Sequence, residues 1–257
     1  MDVTEMHYEV KLKLNKIDSS DYENLTVPEI DWYLNEAQDI FIKQRYGISN
    51  NKRQGFETTQ KRIDDLRKLV VKGNVLPFTT SSVDLDAYEV CVPDNYMFHI
   101  RSRADIEKGG CEEKQGVSTV QVQHDDLDNV LQDPFYSPSF EWEEIPIVFM
   151  EGFSSIGGGD FEFPECSGRI IGYSDGTFIL NNLRLDYLRE PLRISWGAGV
   201  GGSSYIYPNG QLAAASNSCE LAEHTHHEIV DIAVMIASGD LDHPNLQSKI
   251  LKTQLNE

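Results

Sequence analysis

Residues 177–196 (TFILNNLRLDYLREPLRISW) constrain the fold more than any other stretch. Phe178, Leu180, Leu183, Leu185, Leu188, Leu192 and Ile194 recur along it at a spacing near two, the period of a strand with one buried face. Asp175-Gly176 stands just before it as a hairpin turn signal, and residues 169–173 form a second apolar run on the other side of that turn. The pattern predicts a β-hairpin. Pro191 donates no ladder hydrogen bond and suits an edge or a strand end. The hairpin is expected at the middle of a β-rich domain, with helices before and after it.

Residues 8–14 (YEVKLKL) alternate briefly, which suits a strand or an extended arm, so residues 1–25 are read as an N-terminal arm. A helix should begin at Thr26. Thr26-Val-Pro-Glu29 matches a capping box with proline in the first turn, and Ile30, Tyr33, Leu34, Ala37, Ile40 and Phe41 make one apolar stripe ending at Gly47. A second helix is expected from about residue 58 to 70, with Ile63, Leu66, Leu69 and Val70 inside, Lys61, Arg62, Arg67 and Lys68 wet, and Gly73 as its stop. From residue 74 the period shortens. Residues 75–79, 88–93, 96–101, 117–122 and 145–150 read as strands between Asp, Asn, Gly and Pro turns, the pattern of a small sandwich or barrel. Residues 125–165 are otherwise acidic, aromatic loops, expected to pack on their own domain or on a neighbouring subunit. A third helix runs from about 223 to 238 with a wide apolar face. The fold class is α+β: a helical bundle from residues 26–73 and 220–239, a β-rich domain from 75–210, and a tail from 240–257. In that tail Leu246, Ile250, Leu251 and Leu255 fall at helical intervals and are candidate partner-binding residues.

The charge balance narrows the function. With 42 acidic against 22 basic residues, net −20, the surface repels phosphate backbones, so a nucleic-acid grip is not expected; the plain reading of such a charge is solubility. A wall past which DNA slides would carry this sign. Residues 1–10 are not a signal peptide, and no apolar run is long enough to span a bilayer. Four cysteines (Cys91, Cys111, Cys166, Cys219) lie far apart without a C-x-x-C pair, so a zinc site is not expected, no disulfide is needed, and a reducing compartment is the default.

Three constellations bear on chemistry. Gly197, Gly199 and Gly202 fit G-x-G-x-x-G, but residues 203–210 (SSYIYPNG) cannot begin the helix that a dinucleotide site requires. His224, His227 and Asp231 share a helix face and set up a metal-site alternative, although H-E-x-x-H is absent. Carboxylate pairs at Glu112-Glu113, Asp125-Asp126 and Glu143-Glu144 are expected of so acidic a chain. No catalytic residue, cofactor or metal is assigned. The alternative reading is a metal- or carbohydrate-binding module, or an enzyme, that uses the acidic aromatic loops.

Residues 29–46 (EIDWYLNEAQDIFIKQRY) resemble the opening helix of structural proteins of crAss-like and related short-tailed phages. Residues 185–191 (LDYLREP) and 220–233 (ELAEHTHHEIVDIA) resemble their mid-chain strand and closing helix. The order helix, helix, β-domain, helix, tail is similar to that of head-to-tail adaptor proteins, whereas residues 103–165 have no counterpart there. The resemblance implies a homo-oligomeric ring, usually of twelve copies, in the virion neck. It implies a portal protein and neighbouring neck or tail rings as partners, DNA passing through without specific binding, no membrane, and assembly in the host cytoplasm. Another virion component, of the tail or head surface, is the third reading.

Overall fold

The structure is a computed structural model and describes residues 1–14, 25–47, 60–81, 86–110, 112–151, 166, 168–197, 216–240 and 250. In chain order its elements are α1 (Val3–Lys13), α2 (Val27–Tyr46), α3 (Gln60–Leu66), β1 (Val70–Pro77), β2 (Thr79–Thr80), β3 (Ala87–Cys91), β4 (Tyr96–Lys108), β5 (Glu112–Gln121), α4 (Leu127–Gln132), β6 (Glu144–Glu151), β7 (Gly168–Tyr173), β8 (Ile179–Arg189) and α5 (His226–Asp240). They fall into two compact units, one of residues 1–69 with 191–257 and one of residues 70–190. The class is α+β.

In the helical unit, the arm expected at residues 1–25 is a correction: residues 3–13 are helical. Asp2 and Glu5 form a reciprocal capping box that satisfies the first free N–H groups. Val3, Met6, Val10 and Leu14 then make a buried stripe at helical spacing. The alternation over residues 8–14 misleads because Tyr8 and Leu12 lie on the outer face while Val10 and Leu14 lie within. The capping box of α2 forms as its residues predict, and the helix ends at Gly47. The helix expected over 58–70 stops early: α3 gives way to a 3-10 turn at Arg67–Leu69, and Val70 already belongs to β1. Arg62, expected to be wet, is buried with its guanidinium directed at the Arg45 and Gln44 carbonyls. α2 packs on α5, and α1 on both. Val3, Met6 and Val10 of α1 and its C-cap residue Leu14 each contribute ~1.5–3 kcal/mol before ordering costs.

The other unit is an eight-stranded sheet in the order β1-β8-β4-β5-β6-β7-β3-β2. Only the β5–β6 pair is parallel. This order corrects the central expectation. Residues 168–173 and 179–189 are both strands, and Asp175-Gly176 does turn between them, with the Asp175 carboxylate accepting from the Thr177 N–H at 2.8 Å. They do not pair. β7 bonds to β6 and β3, whereas β8 bonds to β1 and β4. In a flat sheet β7 and β8 would be about 19 Å apart at their four-strand separation. Yet a methyl group on Gly172 of β7 would stand 3.5 Å from the Leu180 side chain of β8. The sheet therefore curls, and the two strands face each other across its interior. A second feature agrees: β1 and β2 are the opposite ends of the strand order, but Phe78 alone separates them along the chain. The sheet thus approaches a barrel closed by covalent chain. Val90, Ala104, Ile106, Ile145, Ile147, Ile170, Leu180, Leu183 and Leu185 fill it, with Phe140 and Phe178 among them.

Gly73, expected to stop a helix, instead sits at φ +68° in a bulge of β1, where its N–H bonds the Asp186 carboxylate at 2.6 Å. The β unit ends at Glu190, where Pro191 begins the return to the helical unit. Cys91 and Cys166 are disulfide-bonded, against the expectation that no disulfide is needed.

Candidate functional site

His224, His227 and Asp231 do not converge on one point. His224 Nε2 lies 2.8 Å from Asp65 Oδ1, His227 Nδ1 lies 3.0 Å from the Glu9 carboxylate, and Asp231 accepts from Lys13 Nζ at 2.7 Å. Each side chain is directed to a different partner, which ties the C-terminal helix to α3 and α1. Lys13 also reaches Glu9 at 2.5 Å. Burial works against the Glu9 carboxylate, but hydrogen bonds from Lys13 and His227 hold its pKa below the usual range. Among the described residues no group of three or more His, Cys, Asp or Glu is placed to hold a metal ion.

Sequence reasoning missed the polar hub of this unit. Arg45 is 2% exposed and Asp65 not at all. Arg45 Nε donates to Asp65 Oδ2 at 3.0 Å, Nη2 donates to Glu228, and the guanidinium carbon stands 4.7 Å from the Phe41 ring centre. One side chain of α2 thereby holds α3 and α5. At the other end of α2, His7 Nε2 meets Asp31 Oδ1 at 2.7 Å, and the Trp196 N–H donates to the same carboxylate at 3.0 Å. A histidine oriented by a carboxylate activates a nucleophile through its other ring nitrogen. His7 Nδ1 is buried and meets no partner among the described residues, so this pair holds α1 and the 191–197 segment on α2. Cys219 is buried, donates weakly to Gln38 Oε1 at 3.4 Å, and has its pKa pushed up to about 11 chiefly by burial. A thiol with that pKa is not a nucleophile at neutral pH. A signal for the hub exists in the sequence: Asp31, Gln38 and Arg45 recur every seventh residue beside the apolar stripe of α2, and all three are buried.

Of the acidic aromatic stretch, residues 152–165 lie outside the described residues, and the aromatics at 135–142 divide in two. Phe140 is buried in the sheet's core against Phe178, and the Lys114 ammonium stands 4.6 Å from its ring centre. Phe135, Tyr136 and Trp142 are 86%, 65% and 79% exposed. Their loop is nevertheless built. The Asp133 carboxylate accepts from the Phe135 N–H, and the Asp133 carbonyl from the N–H groups of Tyr136 and Ser137. Ser139 Oγ accepts from the N–H groups of Glu141 and Trp142. Lys114 reaches Glu143 at 3.1 Å. Large aromatics held this far into water by an ordered loop mark a surface suited to contact with another protein.

Of the tail residues Leu246, Ile250, Leu251 and Leu255, only Ile250 lies among the described residues, helical and half-buried. Of the glycine run only Gly197 is described; its N–H bonds Ser216 Oγ. Among the described residues no helix is long and apolar enough to cross a membrane.

Residues 1–146 match the sequence model of a family described as phage tail ring protein 3/4. The matched span runs from α1 into the first residues of β6 and takes in the exposed aromatic loop. No curated protein matches the chain.

Proposed function

This chain belongs to the phage tail ring protein 3/4 family, and from that premise we propose that it is a ring subunit of a virion neck, set between portal and tail. In this reading identical copies, twelve by resemblance to head-to-tail adaptors, surround the channel through which DNA leaves. The subunit makes no bonds in a substrate; its work is contact with copies of itself, the portal and adjacent rings. The match over residues 1–146 carries the reading, because it covers the first three helices and most of the sheet rather than a short motif. The acidic excess supports it: a wall of net negative sign lets DNA pass without adhesion. The tail with Leu246, Ile250, Leu251 and Leu255 docks into a partner ring, where burying four aliphatic side chains yields several kcal/mol at ~1.5–3 each.

Native mass measurement and negative-stain imaging of the full purified chain test the reading. A closed ring of defined copy number is the expected result. A chain that stays monomeric up to high concentration, alone and with portal present, would refute it. Deleting residues 240–257 should leave the subunit folded and weaken its attachment to portal or neighbouring rings. Unchanged attachment would remove the tail from the account.

A further inference from the structure

We propose that copies of this chain join through the aromatic tip at residues 133–143 of one copy and the outer face of α1 on the next. The inference rests on the ring reading above. A ring closes through contacts between two unlike patches of the same chain. A convex patch and a concave one, both apolar, are therefore sought, and the described residues offer such a pair.

The convex patch is the ordered tip that presents Phe135, Tyr136 and Trp142 to water. Its backbone is already fixed by Asp133 and Ser139, so little conformational freedom is lost when it is buried. Tryptophan and tyrosine dominate the energetics of such contacts. The concave patch is a groove of about 440 Å³ on the outer face of α1, walled by Met1, Thr4, Tyr8 and Leu12. Tyr8 and Leu12 are one helical turn apart and more than half exposed. The family match spans both patches.

The ring reading selects this pairing over tip against tip, because a symmetric tip contact closes a pair and does not propagate round a ring. The tip's carboxylates have partners within their own unit, Asp133 the Phe135 N–H, Glu141 the Lys108 ammonium at 3.8 Å and Glu143 the Lys114 ammonium at 3.1 Å. The groove's two carboxylates are already engaged, Glu5 with the Asp2 N–H and Glu9 with Lys13 and His227. Lys11 stands three residues beyond Tyr8, on the neighbouring helix surface, and has no partner among the described residues. It is the cation offered to Glu141, whose long 3.8 Å contact with Lys108 leaves its carboxylate largely exposed.

Two full-length proteins test this, one carrying Leu12→Cys and one Trp142→Cys. Each is oxidised alone and after mixing, and the linked peptides are identified by mass spectrometry. The proposal expects a 12–142 disulfide between copies in the mixture and none in either protein alone. It also expects Phe135→Ser with Trp142→Ser to raise the concentration at which the assembly half-dissociates at least tenfold. Lys11→Glu should weaken assembly, and adding Glu141→Lys should restore it. A link formed by Trp142→Cys alone, or a wild-type ring whose assembly the tip variants leave unchanged, overturns this interface and spares the ring. A monomeric wild-type chain overturns the ring reading, and the interface with it.

Discussion

Arg45 is the side chain whose removal should weaken the helical unit most. Arg45→Met keeps the aliphatic stem against Phe41 and deletes the guanidinium. Asp65, with no exposed surface, then keeps His224 and loses its cation. Glu228 loses Arg45 but keeps Lys61 at 3.1 Å on the exposed side. Leaving one member of a buried pair uncompensated costs about 3–5 kcal/mol. At a urea m-value of ~2 kcal/mol/M this is a midpoint lower by roughly 2 M. Adding Asp65→Asn removes the stranded charge, so the double variant should be more stable than Arg45→Met alone. The readout must separate the two units. Trp32 and Trp196 report the helical unit and Trp142 the sheet, so urea titrations followed by fluorescence in a Trp142→Phe background isolate the former. A loss under about 1 kcal/mol for the single variant, or a double variant as unstable as the sum of the two singles, would refute the reasoning.

Three further outcomes follow from the structure. The Cys91–Cys166 bond closes a loop spanning 75 residues, for which the chain-entropy relation gives up to about 4.5 kcal/mol; Cys166→Ser or added reductant should lower the sheet's unfolding midpoint and leave that of the helical unit unchanged, and peptide mapping without reductant checks the bond itself. Gly172→Leu should destabilise the sheet by about 1–3 kcal/mol, because a side chain there meets Phe78 at 3.4 Å and Leu180 at 3.5 Å from its first carbon; a neutral result in thermal melts would mean that the sheet does not curl. Burial lowers the pKa of both His99 and His226 in the folded chain, so the unfolded chain takes up protons first as pH falls, and stability should drop from pH 6.5 down to the folded-state values. His226→Gln should shrink that slope in the helical unit, as read from urea midpoints at pH 7.5 and 5.5.

Local rules made the elements legible and left their pairing obscure. Thr26 to Glu29 announces α2 because a capping box is a contact within four residues, and Gly47 ends the helix as expected. Residues 168–189 show where such reasoning stops. Alternation gives two strands, and Asp175-Gly176 gives a turn, but whether the strands bond or face each other depends on β4, β5 and β6 inserting between them. The same limit hides α1, whose seven-residue alternation carries no trace of its partner faces on α2 and α5. For the candidate site, the exposed aromatics were legible as a cluster, but which of them the core would claim was not. Phe140 is buried because it meets Phe178 38 residues later, a contact that no local pattern encodes. Spacing marks the histidines but not their partners Asp65 and Glu9, 159 and 218 residues away.

The helical unit is assembled from two segments, residues 1–69 and 191–257, with the sheet inserted between them in sequence. Lys13 and Asp231 meet across 218 positions of sequence. During synthesis the sheet is complete in sequence once Glu190 has emerged, while α1 and α2 wait with an uncovered apolar face until α5 leaves the ribosome. A truncated translation product lacking α5 therefore leaves the apolar faces of α1 and α2 without their cover.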